Sequence, residues 1–251
     1  MRVIPAVHDN REYYSRPEVV ANYGNADYLT AAERLLFDRY LRDGMRILDL
    51  GVGGGRTSAV LARDATEYIG IDYAPAMTAR CRLRFPHLRF ETMDAADLSA
   101  FADDYFDLLV FSFNGLGYLN PDAQRLRALA ECRRVLKPGC MLVFSLHNAG
   151  SLLFRPPVAA AWKTRLKVAW HSGWRLLRRI GQACFWRGEG YLVDRAVGNT
   201  LVFASTPARV QAMLAAAGFA LLDVVGDDHP RRNIPCMTRW YYYSARKSPI
   251  S

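Results

Sequence analysis

Residues 45–55 constrain this chain more than any other stretch. Met45 to Leu50 is short and mostly apolar, as a buried strand would be, and it runs straight into Gly51-Val52-Gly53-Gly54-Gly55. A helix start follows near Arg56-Thr57. Glycine has no Cβ, so the backbone there can take positive φ and lie against a ligand. A glycine turn that opens a helix also offers unpaired N–H groups, which suits a nucleotide-like or carboxylate-bearing cofactor.

The spacing narrows the choice. A dinucleotide-binding turn has the form G-x-G-x-x-G. Counted from Gly51, its third glycine would fall on Arg56. Asp49, Gly51, Gly53 and Gly55 form Asp-x-Gly-x-Gly-x-Gly instead. A second apolar strand, Glu67 to Asp72, ends in a carboxylate 21 positions after Gly51. An acid there can hold the two ribose hydroxyls of a nucleoside, NAD included. It can also simply cap the helix that begins at Pro75. A third strand, Leu88 to Met93, runs into Asp94-Ala95, and a fourth, Tyr105 to Phe113, into Asn114-Gly115-Leu116-Gly117-Tyr118. A helix then ends at Leu136-Lys137-Pro138-Gly139, before a fifth strand from Met141 to Ser145.

Together these motifs resemble the class I S-adenosylmethionine-dependent methyltransferases, strongly over 45–150 and more weakly over 200–246. The resemblance implies an α/β fold with a seven-stranded, mostly parallel, doubly wound sheet and a C-terminal antiparallel hairpin strand. It implies S-adenosylmethionine as cofactor and S-adenosylhomocysteine as product. Asp49, Gly51, Val52, Gly53 and Gly55 would shape the turn against it, and Asp72, Tyr73 and Met77 would follow on the ribose side. Asp94 would take the adenine amino group, beside the small Ala95. Phe111 and Ser112 would close the fourth-strand end. The N-terminal helices would pack over the pocket and bring Tyr14 and Tyr23 to the methionine end or the substrate.

At 251 residues the chain can bury a full core. No linker divides it, so it reads as one domain, with 1–44 as a helical cap and 151–190 as an insertion after the fifth strand. Thr30-Ala31-Ala32-Glu33 is a capping box at the start of a helix in that cap. Tyr191–Asp194 and Leu201–Ala204 read as a short strand pair, Thr206-Pro207 as a helix start, and Phe219–Val225 and Arg239–Ala245 as the last two strands. The cysteines at 81, 132, 140, 184 and 236 form no Cys-x-x-Cys pair and read as free thiols in a reducing cytoplasm. No metal-ligand spacing is present. The first fourteen residues lack the apolar centre of a signal peptide. No apolar run reaches the ~18–20 residues of a membrane span.

Charge is uneven. Residues 151–190 carry eight basic residues and one acid, which gives +7 of the net +9, together with four of the five tryptophans. At helical spacing, Trp162, Leu166, Ala169, Trp170, Gly173, Leu176, Leu177 and Ile180 share one face. Lys167, His171, Arg175, Arg178 and Arg179 lie opposite. Three roles suit such a segment: a helix on an anionic membrane through 158–180, a lid over an active site, or a solvated helix packed on the sheet.

Methyl transfer forces no particular catalytic group, because positioning can supply much of the rate. His147, Tyr118 and Asn114 are the catalytic candidates, as polar residues at the ends of the fourth and fifth strands. His147 is the preferred base, since an imidazole titrates near neutrality. Arg195 and Arg239 could hold a substrate carboxylate or phosphate, and the loop Gly226–Thr238 is expected on or near the substrate side. The Asn/Asp-Pro-Pro-aromatic signature of amino methyltransferases is absent after the fourth strand, and no RNA-binding module is appended. The expectation is methylation of an oxygen or nitrogen on a small-molecule or lipid-like, anionic acceptor. The alternatives are an RNA methyltransferase and a non-catalytic cofactor-binding or membrane-associated protein.

Overall fold

A computed structural model describes residues 10–24, 26–151, 164, 167, 170, 173, 174, 176, 177, 183–194, 197–230 and 234–248. Its centre is one mixed sheet. Strands β1 (Arg46–Leu50), β2 (Glu67–Asp72), β3 (Arg89–Thr92), β4 (Phe106–Phe111) and β5 (Leu136–His147) are parallel, in the order β3-β2-β1-β4-β5. Strand β9 (Trp240–Lys247) runs antiparallel along β5, and β8 (Phe219–Gly226) pairs antiparallel with β9. The expected seven strands are therefore present. The sheet holds nine among the described residues, because β6 (Glu189–Asp194) and β7 (Thr200–Ser205) form an antiparallel hairpin that joins β5 at its far end, His147 opposite Ala204.

Alternation along the strands fills both faces of the sheet, since successive side chains point opposite ways. On one face Leu48, Leu50, Leu109, Phe111 and Phe144 pack with Ala128, Leu129 and Cys132 of helix α6 (Asp122–Val135) and Val210 and Leu214 of helix α8 (Pro207–Ala216). On the other, Ile47, Leu108, Val110 and Val143 pack with Leu36 and Phe37 of helix α3 (Ala31–Tyr40), Leu61 of α4 (Ser58–Ala62) and Cys81 of α5 (Pro75–Arg84). The N-terminus adds α1 (Asn10–Tyr14) and α2 (Pro17–Gly24), so with α3 the helical cap holds three helices among the described residues. A short helix α7, Ala183–Arg187, precedes β6.

The Thr30 capping box forms as its sequence requires: Thr30 Oγ1 accepts from the Glu33 N–H at 3.2 Å, and Glu33 Oε2 accepts from the Thr30 N–H at 2.8 Å. The Leu-Lys-Pro-Gly stretch is a correction. It is not a plain turn after the helix, because β5 already begins at Leu136. Leu136 pairs with Phe106, and the ladder resumes only at Met141 opposite Leu108. Residues 137–140 bulge between these pairs. Gly139 at φ +77° makes the bend, and Lys137 Nζ anchors it to Asp107 Oδ1 at 2.6 Å.

Within the 151–190 segment, Thr164, Lys167, Trp170, Gly173, Trp174, Leu176 and Leu177 are described and helical. The expectations for Trp162, Leu166, Ala169, His171, Arg175, Arg178, Arg179 and Ile180 lie outside the described residues, as does that for Arg195. No helix among the described residues is long and apolar enough to cross a membrane.

Candidate active site

Strand order reverses between β1 and β4, and a crevice opens beyond the carboxyl ends of parallel strands at such a point. A cavity of about 870 Å³ occupies it, walled by the turns after β1, β2, β3 and β4 and roofed by α1 and α2. That is near the top of the ~300–1,000 Å³ range of small-molecule sites, room for more than one modest ligand.

The glycine turn forms the floor. Gly51 and Gly53 have φ of +61° and +54°, which an L-residue with a branched side chain resists. A Cβ on Gly51 would press on Phe111 at 2.9 Å, whereas a Cβ on Gly53 would meet only the Tyr23 ring at 3.8 Å. Gly53 therefore faces open cavity. Gly54 lies so near the Tyr23 and Gly24 backbone that a Cβ there would collide with it. Gly55 stands apart from the cavity wall. A Cβ at Gly55 would strike Phe85 and Cys81, so this glycine serves packing against α5.

Two buried carboxylates hold the turn. Asp72 Oδ2 accepts from the Gly53 N–H at 2.9 Å, and Oδ1 accepts from the Ala74 N–H at 2.9 Å. The residue thus ties the turn to the entrance of α5, and the N-cap position itself belongs to Ala74. Each oxygen keeps a further lone pair. Asp49 Oδ2 accepts from Thr57 Oγ1 at 2.7 Å and from the Tyr68 hydroxyl at 2.9 Å. Burial pushes both carboxyls up to about 6, against the opposing pull of these hydrogen bonds.

Arg56 is the residue whose role the sequence does not disclose. Its guanidinium pairs with Glu33 through two bonds, Nη1 to Oε2 at 2.7 Å and Nη2 to Oε1 at 2.5 Å, and Nη1 also reaches the Tyr28 carbonyl at 2.7 Å. It lies over the Phe113 ring, 4.9 Å from the centroid. Phe113 and Asn114 both carry left-handed φ, +55° and +66°. Strain of this kind in a bulky residue concentrates at functional sites, and Phe113 lines the cavity.

The other end of the cavity is aromatic. Tyr14 meets Tyr23 and Tyr118 edge-to-face, at centroid distances of 5.7 and 6.0 Å. Tyr118 donates to Asp194 Oδ2 at 3.2 Å, and Asn10 Nδ2 donates to the Tyr118 carbonyl at 2.8 Å, fastening α1 over the site. Burial, then the Asp194 charge, raises the Tyr118 hydroxyl well above its ordinary range, so it is a phenol at neutral pH. Asn120, Gln124 and Leu201 complete this wall.

All the candidate cofactor residues except Gly55 line this cavity: Asp49, Gly51, Val52, Gly53, Asp72, Tyr73, Met77, Asp94, Ala95, Phe111, Ser112, Tyr14 and Tyr23. Of the catalytic candidates Tyr118 lines it, while His147 and Asn114 do not. His147 sits behind Tyr118 with Nε2 3.8 Å from Asp194 Oδ2. Asn114 is buried, its N–H bonded to Ser145 Oγ at 2.7 Å. Arg239 is engaged by Asp227 at 2.9 Å and stacks on Trp240. No described residue of the Gly226–Thr238 loop reaches the cavity wall. Asn148 ties that loop to the end of β5 through the carbonyls of Pro235 and Thr238.

The residues present fit S-adenosylmethionine. Gly53 gives a cradle that any side chain would fill, Asp72 has spare lone pairs toward a ribose, and Asp94 with Ala95 stands one strand further along the wall. Among the described residues no group of His, Cys, Asp and Glu is placed to hold a metal ion.

Comparison with known proteins bears on the family and the fold. A family of methyltransferase domains matches residues 47–139. A demethylmenaquinone methyltransferase of Beutenbergia cavernae is 40% identical over 179 residues, covering 60% of this chain and 69% of that protein. A ubiquinone biosynthesis O-methyltransferase of Cereibacter sphaeroides is 31% identical over 144 residues, 54% of this chain and 56% of that one, so the chain spans little more than half of this relative's length. The fold is shared with the 1,6-didemethyltoxoflavin-N1-methyltransferase of Burkholderia thailandensis, solved with bound 1,6-didemethyltoxoflavin and S-adenosylhomocysteine. Its TM-score is 0.62 at 18% identity, and the match covers 98% of this chain and 94% of that one.

Proposed function

This chain belongs to the class I S-adenosylmethionine-dependent methyltransferases, and we propose that it methylates an oxygen or nitrogen on a small-molecule or lipid-like aromatic acceptor. One observation carries the reading. A single cavity runs from the glycine turn and Asp72 to the cluster of Tyr14, Tyr23 and Tyr118. Aromatic rings favour edge-to-face and offset partners, so that cluster suits a flat ring. The relatives named for quinone methylation support a ring bearing oxygen.

When bound, S-adenosylmethionine supplies an activated methyl group whose sulfur leaves neutral, so no acid is needed. The chain's own work is to orient the acceptor and take its proton. Tyr118 gives its proton to Asp194 in a hydrogen bond and keeps a lone pair for an acceptor hydroxyl. A proton received there can pass on to Asp194. Tyr118→Phe is expected to lower kcat about 10²-fold, within the range of proton-transfer groups, with S-adenosylhomocysteine affinity unchanged. Full activity in this variant would remove Tyr118 from the mechanism.

Asp72 gives a cofactor prediction with a pH signature. Asp72→Ala is expected to weaken S-adenosylmethionine by about 1–3 kcal/mol, the loss of a charged hydrogen-bond acceptor. The unfolded carboxyl ionises at 3.8, the folded one at about 6. Between these values the folded state holds a proton that the unfolded state has released. The contribution of Asp72 to stability is therefore lost as pH rises through this window, and Asp49 acts in the same sense. Cofactor binding runs the opposite way, because ribose hydroxyls donate to the carboxylate. Affinity should fall below pH 6, approaching about tenfold per unit, and Asp72→Asn should flatten this response in calorimetry. A response equal to that of the unaltered protein would assign it elsewhere.

The test of the whole reading is incubation with methyl-labelled S-adenosylmethionine and a fractionated cell extract. Label in the solvent-extractable or soluble small-molecule fraction is expected. Label confined to RNA would overturn the acceptor class.

A further inference from the structure

The basic, tryptophan-rich segment is not absorbed by methyl transfer. Trp170, Trp174 and Leu177 are each helical and stand at i, i+4 and i+7 in the sequence, the spacing of one helix stripe. They are 69%, 53% and 69% exposed. The two indoles contact each other edge-to-face at 6.4 Å, and Lys167 is helical and exposed as well. Trp186 of α7 is 71% exposed as well. Single exposed apolar residues are ordinary, but a contiguous stripe of large ones marks a contact surface. None of these residues lines the cavity.

Charge selects the occupant. The sequence from 163 to 179 holds Lys163, Arg165, Lys167, Arg175, Arg178 and Arg179 and no acid. Indole rings favour the membrane–water boundary, with the ring in the acyl edge and the N–H in the headgroups. A helical stretch with a tryptophan–leucine stripe and a basic composition matches an anionic lipid surface. We propose that this stripe docks the protein peripherally on anionic phospholipid bilayers, through Trp170, Trp174 and Leu177. The surface stands apart from the methyl-transfer site, so the two readings fail independently.

The test uses the full chain with vesicles of phosphatidylcholine and phosphatidylglycerol, and with phosphatidylcholine alone. Co-sedimentation with the mixed vesicles is expected to be more than about tenfold stronger than with neutral ones and to weaken as salt is raised. The variant Trp170→Ala/Trp174→Ala/Leu177→Ala should lose at least about tenfold of that binding, with S-adenosylhomocysteine affinity unchanged. Brominated lipid in the mixed vesicles should quench the tryptophan fluorescence of the unaltered protein, a readout that needs no variant. Absent sedimentation, equal binding to neutral vesicles, unquenched fluorescence, or undiminished binding by the triple variant would each overturn the proposal. So would a concentration-dependent dimer abolished by the triple variant without vesicle binding, which would assign the stripe to a second copy of the chain.

Discussion

Gly53→Val is expected to abolish S-adenosylmethionine binding. Gly53 lines the cavity, and the space beyond its Cα holds only the Tyr23 ring at contact distance. A branched side chain would stand where the cofactor must lie. Its φ of +54° adds about 1–3 kcal/mol of backbone strain. The expected result is no measurable heat in calorimetry and a melting transition that is lowered but still cooperative. Wild-type affinity would mean that the cofactor does not approach this turn.

Arg56→Ala is expected to destabilise the fold by about 3–5 kcal/mol, the cost of leaving one member of a buried ion pair without its partner. Glu33 is fully buried and Arg56 nearly so. For a chain of this size that corresponds to a melting temperature lower by about 6–20 °C. The double variant Glu33→Leu/Arg56→Met should recover part of the loss, because no charge stays buried. A loss within ~0.5 kcal/mol would place the pair among surface salt bridges that contribute little. The pair also joins the capping box of α3 to the glycine turn, so weaker cofactor binding is expected beside the stability loss.

These two predictions draw on different kinds of legibility. Gly53 is readable in the sequence, because strand periodicity, a glycine turn and acids at strand ends are local signals. The same signals set Asp49, Asp72 and Asp94 at the ends of successive strands, and one cavity wall holds all three. Glu33 is readable only as a capping residue, and Arg56 only as a missing glycine. Their pairing spans 23 positions, and no short-range pattern encodes it. Asp194 escapes a sequence reading for the same reason, since it meets Tyr118 across 76 positions through a hairpin attached to the end of β5. His147 and Asn114 do not reach the cavity, because residue type and strand end do not fix where a side chain points. His147 points to Asp194 behind Tyr118, and a left-handed backbone at Asn114 buries that residue. The bulge at 137–140 hides the true start of β5 within a sequence that reads as a turn.

The most direct test of the central claim is calorimetric titration of the purified protein with S-adenosylhomocysteine and, in parallel, with NAD. The arrangement of Gly53, Asp72 and Asp94, with Arg56 in place of a third glycine, predicts one-to-one binding of S-adenosylhomocysteine and none of NAD. Equal binding of both, or binding of NAD alone, would contradict it.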